Sequence, residues 1–229
     1  MDKSHTDRSY ESQLSSLRRG LLQTAGRVEQ MLESAISAIT ERDAQKAREV
    51  IANDALVNRA EIEIDQVCLQ ILARRQPMAS DLRFISLALK MITDLERIGD
   101  LAVNISERAI DLATEPPFGS YAEIERMGEM VCQLVRRAVE AFVAGDAAAA
   151  RQLVEDDDAI DQLYTDIFRY ILREMIAHPD RIERGIHLQS VAKWLERVGD
   201  HAVNLAEQVI FMVKGRDVRH EGKLGSREE

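Results

Sequence analysis

Apolar residues recur every three or four positions through most of the chain, which is the spacing of amphipathic helices. Clear runs are Leu14, Leu17, Leu21, Val28, Met31, Leu32, Ala35 and Ile39, followed by Ile62, Val67, Leu69, Ile71 and Leu72. Pro77 and Pro179 each end a long periodic segment, because proline cannot continue a helix. The densest cluster of turn-forming residues lies at 115–120 and indicates a linker between two helical regions.

A long segment of the sequence occurs twice. The 13 residues from Leu95 to Glu107 recur from Leu195 to Glu207, with nine identities at an offset of 100. Further upstream Asp43 and Asp54 match Asp146 and Asp157 at an offset of 103. We therefore predict an all-α fold of two tandem antiparallel three-helix bundles related by duplication. The predicted repeats span 11–114 and 120–214, and polar tails cover 1–10 and 215–229.

Composition narrows the functional classes. Aromatic residues make up only 4% of the chain, which argues against a β-sandwich or barrel. The 40 acidic and 30 basic side chains give a net charge of −10, so nucleic acid is not expected as a ligand. No signal peptide and no membrane span are expected, because apolar stretches of sufficient length are missing. The prediction is a cytoplasmic protein, with peripheral docking at the inner face of the membrane through partners left open.

The duplicated segment places a row of oxygen-bearing side chains on one face of the third helix of each half. The predicted metal ligands are Glu96, Asp100, Asn104 and Glu107 in the first half, and Glu196, Asp200, Asn204 and Glu207 in the second. Like charges four residues apart repel by about 0.2–0.5 kcal/mol, and hard cations prefer such oxygen ligands. The alternative partner is arginine. However, Arg97 and Arg197 point about 100° away from their neighbours around the helix, so we expect them to bridge to another helix.

Other positions refine this candidate site. Gly99 and Gly199 lie inside the duplicated helix, where glycine costs about 1 kcal/mol, so we expect close approach of another helix or ligand. Asp54, Asp157 and Asp161 are weaker candidate ligands on the second helix of each half. His201, which aligns with Leu101, is expected to be a partly exposed polar substitution.

The segments Leu95-Glu-Arg-Ile-Gly-Asp100 and Leu195-Glu-Arg-Val-Gly-Asp200, each followed by Ala-Val-Asn, resemble the signature of the PhoU family. Leu72-Ala-Arg-Arg-Gln-Pro77 is also similar to that family, and the resemblance extends from about Ser12 to Lys214. It implies a regulator of phosphate uptake that acts between a phosphate ABC transporter and a sensor histidine kinase. It further implies a homodimer, and iron or zinc clusters held by Glu96, Asp100, Glu196 and Asp200.

Two other functions compete with this interpretation. A metal-free helical scaffold could bind a basic partner surface through the same acidic rows. A di-iron carboxylate enzyme is disfavoured, because its sites use Glu-x-x-His motifs and none of the 229 residues forms one. No nucleophile elbow, P-loop or dinucleotide-binding turn is present either, so no catalytic residues and no enzymatic activity are predicted.

Overall fold

The protein is described by a computed structural model that covers residues 3–215, with side chains from residue 8 onward. The first half contains α1 (Lys3–Glu41), α2 (Ala44–Arg75) and α3 (Ala79–Thr114). The second half contains α4 (Ala122–Ala144), α5 (Ala147–Asp156), α6 (Asp158–Ala177) and α7 (Ile182–Lys214), with a 3-10 turn at Pro179–Arg181. The prediction of an all-α fold is confirmed, and the described residues contain no strand.

Two boundaries differ from those expected. The middle helix of the second half is divided into α5 and α6 at Asp157, where only one residue leaves the helical hydrogen-bonding pattern. The predicted N-terminal tail is wrong for residues 3–10, because α1 begins at Lys3. Tyr10 in that segment donates a hydrogen bond to Asp81 of α3 at 2.9 Å, which ties the start of α1 to the bundle. Gly215 ends α7, and the rest of the predicted C-terminal tail lies outside the described residues.

The duplication is visible at the helix starts. Asp43 precedes α2 and Asp146 precedes α5, and both have φ −96° and ψ 94°. Each carboxylate accepts hydrogen bonds from the backbone N–H groups two and three residues further on, at 2.9 and 3.0 Å. Aspartate at this position satisfies N–H groups that have no partner within the helix, so both halves begin their middle helix with the same cap.

Helices α3 and α7 run antiparallel and join the two halves. Near the start of α3, Arg83 Nε donates to the carbonyl of Met212 near the end of α7 at 3.1 Å. Near the end of α3, Arg108 Nη1 lies 3.2 Å from Nδ1 of His187 near the start of α7. The expected core face of α3 is fully or almost fully buried: Leu95, Ile98, Ala102 and Ile105. The two bundles therefore share one hydrophobic core.

Helices α1 and α4 form a second contact between the halves, and it depends on Gly128. A Cβ atom at residue 128 would lie 2.7 Å from Cγ2 and 2.8 Å from Cδ1 of Ile36. Isoleucine is β-branched and has one preferred rotamer in a helix, so its side chain has little freedom to move away.

Gly128→Ala is therefore expected to lower the free energy of unfolding in a urea titration. Overpacking typically costs ~1–3 kcal/mol, whereas alanine gains only ~1 kcal/mol over glycine within a helix. Gly99→Ala is the matched control, because a Cβ atom there would meet Val57 Cγ1 at an ordinary 3.5 Å. Equal stability of the two variants would contradict tight packing of α1 on α4.

Candidate functional site: two duplicated acidic clusters

The first acidic cluster consists of Asp54, Asn58 and Glu61 on α2 together with Glu96 and Asp100 on α3. The 3–4 residue spacing on each helix places these side chains on the facing sides of two packed helices. Asn58 Nδ2 donates to Asp54 Oδ2 at 2.7 Å. Asp54 and two of the predicted ligands are thus brought together with a residue, Glu61, that was not predicted.

Burial dominates the electrostatics of the first cluster. It raises the pKa of Asp54, Glu61 and Glu96, and the charge of nearby Asp100 raises all three pKa values further. Three buried oxygens have no hydrogen-bond partner: Asp54 Oδ1, Asn58 Oδ1 and Glu96 Oε2. A buried acceptor without a hydrogen bond is unfavourable, so this group of oxygens is suited to bind a cation.

The second acidic cluster consists of Asp157 at the α5–α6 junction, Asp161 on α6, and Glu196 and Asp200 on α7. Burial raises the pKa of Asp157 to about 6, with further contributions from Asp161 and Asp200. Burial, followed by the charges of Glu196 and Asp161, also raises the pKa of Asp200. All four residues match positions of the first cluster, at offsets of 103 on the middle helix and 100 on the third.

Gly99 and Gly199 lie next to these clusters, on the sides of α3 and α7 that face the middle helices. A Cβ atom at Gly199 would lie 3.2 Å from Asp157 Oδ1, and one at Gly99 would lie 3.5 Å from Val57 Cγ1. The expected close approach is found at Gly199, whereas a Cβ atom at Gly99 would make only an ordinary contact with α2. At Gly199 the approaching atom is itself a carboxylate oxygen, so a side chain there would push Asp157 away from the cluster.

A cationic side chain accompanies each cluster. Arg97 Nη1 lies 3.1 Å from Asp100 Oδ2, and Arg97 Nε lies 3.5 Å from Glu96 Oε2. The prediction that Arg97 bridges to another helix is therefore wrong, because its long side chain curls back along its own helix. In the second cluster Lys193 Nζ contacts both carboxylate oxygens of Glu196, at 2.6 and 2.5 Å.

The remaining predicted ligands lie further along the third helices. Asn104 and Asn204 follow Asp100 and Asp200 by one turn, and Glu107 and Glu207 follow by about two, roughly 10 Å along the axis. Glu107 is exposed and lies 3.8 Å from Arg108 Nη2. The structure thus places the clusters at the first two positions of each predicted row.

The donor atoms suit a hard cation, but their arrangement is open. Among the residues that the structure describes, no three His, Cys, Asp or Glu side chains are arranged so as to hold a metal ion. Carboxylates with raised pKa values and buried oxygens without partners nevertheless fit the chemistry of a di- or trivalent cation. Rotation of Arg97 and Lys193 away from the carboxylates would free these oxygens as ligands.

Asp94 and His201 form a contact that sequence reasoning did not foresee. His201 Nδ1 lies 2.9 Å from Asp94 Oδ1 across the α3–α7 interface, and both side chains are largely buried. His201 is partly exposed, as expected, and it also belongs to the contact between α3 and α7. The duplication aligns Asp94 with Trp194 and Leu101 with His201. The residues equivalent to this pair in the other repeat are therefore Trp194 and Leu101, which cannot form the same acid–histidine contact.

Glu61 could have been found from the sequence. It follows Asp54 and Asn58 at the spacing i, i+4, i+7, which continues the same face of α2. The contact between Lys193 and Glu196, by contrast, could not be predicted from the sequence. A lysine three residues before a glutamate can point into solvent instead of pairing with it.

The fold and the site define a class of all-helical proteins built from two duplicated bundles, each with an acidic cluster. The PhoU domain model matches the chain twice, at residues 21–109 and 124–209. The chain belongs to the PhoU family, which confirms the resemblance found in the sequence. Members of this family are accessory and regulatory proteins, so the prediction that the chain is not an enzyme is also confirmed.

Individual relatives extend along nearly the whole chain. A phosphate-specific transport system accessory protein PhoU homolog from Pseudomonas aeruginosa is 39% identical over 227 residues, 98% of this chain and 93% of that protein. A homolog from Aquifex aeolicus is 36% identical over 209 residues, 91% of this chain and 95% of that protein.

Two solved structures share the fold. The crystal structure of PhoU from Pseudomonas aeruginosa aligns with a TM-score of 0.88 at 38% identity, and covers 90% of this chain and 100% of that chain. A phosphate transport system regulatory protein PhoU from Streptococcus pneumoniae aligns with a TM-score of 0.83 at 24% identity, and covers 91% and 99% of the two chains. The second likeness supports the fold of two duplicated bundles. Within residues 3–215, no helix of this chain combines the length and apolar character of a membrane span.

Proposed function

We propose that this protein is a cytoplasmic negative regulator of phosphate uptake and of phosphate-starvation signalling. It acts between a phosphate ABC transporter and a sensor histidine kinase, and binds metal ions at its two acidic clusters. The first part is supported by relatives that are named as accessory proteins of phosphate-specific transport systems. The metal function is supported by one observation above all: the first cluster contains buried oxygens without hydrogen-bond partners, and its acidic positions recur in the second cluster.

Glu96 and Asp100 would hold a cation in the first cluster, and Glu196 and Asp200 in the second. Asp54 and Asp157 would add oxygens from the middle helices. The cation supplies positive charge that offsets the mutual repulsion of these carboxylates. Zinc or iron clusters are the metals that the family resemblance implies, although oxygen ligands accept several metals.

The structure also favours a second function, that of a metal-free scaffold. Arg97 pairs with Glu96 and Asp100, and Lys193 pairs with Glu196, so cationic side chains of the protein itself offset part of the acidic charge. In that function the remaining acidic charge attracts a basic surface of a partner. The two functions differ in their requirement for metal, so metal content separates them.

Metal analysis of purified protein tests the proposal. We expect the wild-type protein to retain metal after dialysis, and Glu96→Gln/Asp100→Asn and Glu196→Gln/Asp200→Asn each to lose about half of it. Glu125→Gln/Glu129→Gln is the matched control, because these exposed residues of α4 have the same spacing and remove the same charge. Equal metal in all four proteins, or none in any, would favour the scaffold.

A cellular experiment tests the regulatory part. In bacteria that lack their own family member, expression of this protein is expected to restore repression of a phosphate-starvation reporter in high phosphate. The variant with all four substitutions should restore it only weakly if the metal is required. Full repression by that variant would separate regulation from metal binding, and absence of repression by the wild type would overturn the regulatory function.

A further inference from the structure

Large apolar side chains are exposed beside the second acidic cluster. They lie on the last turns of α6 and the first turns of α7, and each is between 40% and 73% exposed: Phe168, Leu172, Ile176, Ile182 and Ile186. Isolated exposed apolar residues need no explanation, but five neighbouring ones indicate an interaction surface. We call this set the apolar strip.

The apolar strip leads towards the second acidic cluster, and Tyr164 and Lys193 lie between the two. On α6 the spacing of three or four residues leads from Asp157 and Asp161 to Phe168, so all three lie on one helix face. On α7 the same spacing leads from Ile186 to Asp200. The two helices run antiparallel here, since Gln189 Nε2 of α7 donates to the hydroxyl of Tyr164 on α6 at 3.3 Å.

The resulting surface is long and has two distinct ends. From Asp157 to Ile176 it covers 19 steps of helix, about 28 Å at 1.5 Å per residue. One end carries the four carboxylates of the second acidic cluster. The other end is apolar. This length corresponds to about five turns of a helix laid along the exposed face of α6 and α7.

The first repeat shows that the fold does not require the apolar strip. Its equivalent positions, at offsets of 103 on α2 and 100 on α3, are Asp65, Leu69, Ala73, Leu82 and Ser86. A carboxylate, a methyl group and a hydroxyl thus replace Phe168, Ile176 and Ile186 in a bundle of the same architecture. Leu69 and Leu82 are themselves exposed apolar residues, so the groups specific to the second repeat are Phe168, Ile176 and Ile186. Because the first repeat folds without these three groups, their presence in the second repeat points to binding rather than packing.

We propose that the α6–α7 face binds an amphipathic helix of a partner protein, with apolar residues over the strip and a cluster of Lys or Arg over the second acidic cluster. Helices commonly dock in grooves through apolar residues at i, i+4 and i+7. Opposite charge at one end fixes the direction of the docked helix and makes the binding sensitive to salt. This inference rests on the proposed regulatory function, which requires a surface for a partner.

Peptide binding tests the inference. The probes are labelled 20-residue helical peptides with leucines at i, i+4, i+7 and i+11, and four lysines in either the first or the last turn. In fluorescence polarisation at low salt with EDTA present, we expect one of these two peptides to bind. Replacing its lysines by glutamate, or raising the salt to 0.5 M, should weaken binding at least tenfold.

The decisive variant is Phe168→Asp/Ile186→Ser, which installs the residues that the first repeat carries at these positions. It should fold as the wild type does, shown by an unchanged circular dichroism spectrum, and bind the lysine peptide at least tenfold more weakly. Leu69→Ala/Leu82→Ser is the matched control on the first repeat, and it should bind like the wild type.

Three results would overturn the inference: unchanged peptide binding by Phe168→Asp/Ile186→Ser, equal binding of lysine and glutamate peptides, or a wild-type dimer that this variant converts to a monomer. The third result would assign the strip to a second copy of the chain. Sedimentation with anionic lipid vesicles that depends on Phe168 and Ile186 would likewise overturn it, in favour of a membrane surface. Metal content and reporter repression, measured separately, show whether the proposed function fails at the same time.

Discussion

Leu95→Ala is expected to lower the free energy of unfolding by about 2–5 kcal/mol, the range for a leucine removed from a well-packed core. Leu95 is fully buried on α3, and its duplicate Leu195 is equally buried on α7. Both helices pack against each other and against the other helices of their own bundle, so the surroundings have little freedom to collapse into the cavity. Equilibrium unfolding in urea gives the measurement. Leu69→Ala, at a position that is 60% exposed, is the control and should change stability by less than about 0.5 kcal/mol.

The same experiment tests whether the two bundles unfold together. Because α3 and α7 join the halves into one core, Leu95→Ala and Leu195→Ala should each shift a single transition without changing its denaturant dependence. A biphasic curve in which each substitution affects only one phase would show that the halves are independent. Such a result would contradict the shared core.

The core of the third helices could be predicted because burial follows the 3.6-residue period. Leu95, Ile98, Ala102 and Ile105 alternate with the acidic row in the sequence, and all four are buried as predicted. The duplication strengthened the prediction, since the same pattern recurs after 100 residues. The family resemblance rested on these same positions and agrees with the two domain matches.

Periodicity does not distinguish a core residue from one on an exposed binding face. Leu69 belongs to a helical apolar run of α2, yet it is more than half exposed. The break at Asp157 is also invisible in the apolar pattern, because the backbone there stays in the helical region, with φ −65° and ψ −33°. Both features depend on how the neighbouring helices pack, which the apolar pattern of one helix does not show.

Two further features of the candidate site could not be predicted from the sequence: the direction taken by a long side chain, and a contact between residues far apart in the chain. The position of Arg97 on the helical wheel was known, but its flexible side chain contacts Asp100 three residues further on. The contact between Asp94 and His201 joins residues 107 positions apart. Neither position has a polar equivalent in the other repeat, so the duplication that identified the acidic clusters gave no signal for this pair.

Asp157 connects the stability of the fold with its proposed function. Its carboxylate is half-buried among other acids at the one interruption of the middle helix, and its pKa is raised from the usual 3.8 to about 6. Above that pH the folded protein holds a charged group in unfavourable surroundings. Residues that destabilise the fold in this way are commonly retained for binding, which agrees with the proposed binding of a cation at this cluster.

Asp157→Asn is therefore expected to stabilise the metal-free protein at pH 8. A carboxyl group whose pKa is raised on folding binds a proton more tightly in the folded state, so the unfavourable term is absent below pH 3.8 and develops as the pH rises through about 6. At 1.36 kcal/mol per pKa unit, the gain at pH 8 has an upper bound of about 3 kcal/mol, and solvent screening lowers it towards 1–2 kcal/mol. Unfolding in urea with EDTA at pH 8 and at pH 4 measures the gain, which should shrink towards zero at the lower pH.

Asp158→Asn is the matched control for this measurement. Asp158 is the next residue, is exposed and carries the same charge. Its replacement removes only its own minor repulsion of Asp157, so it should change stability much less than Asp157→Asn does. The proposed metal binding leads to a second, opposite expectation. A saturating cation should stabilise the wild type more than it stabilises Asp157→Asn, because only the wild type has the Asp157 carboxylate to bind it. If Asp157→Asn were no more stable than Asp158→Asn at pH 8 without metal, the carboxylate would not be destabilising and the raised pKa of Asp157 would be refuted.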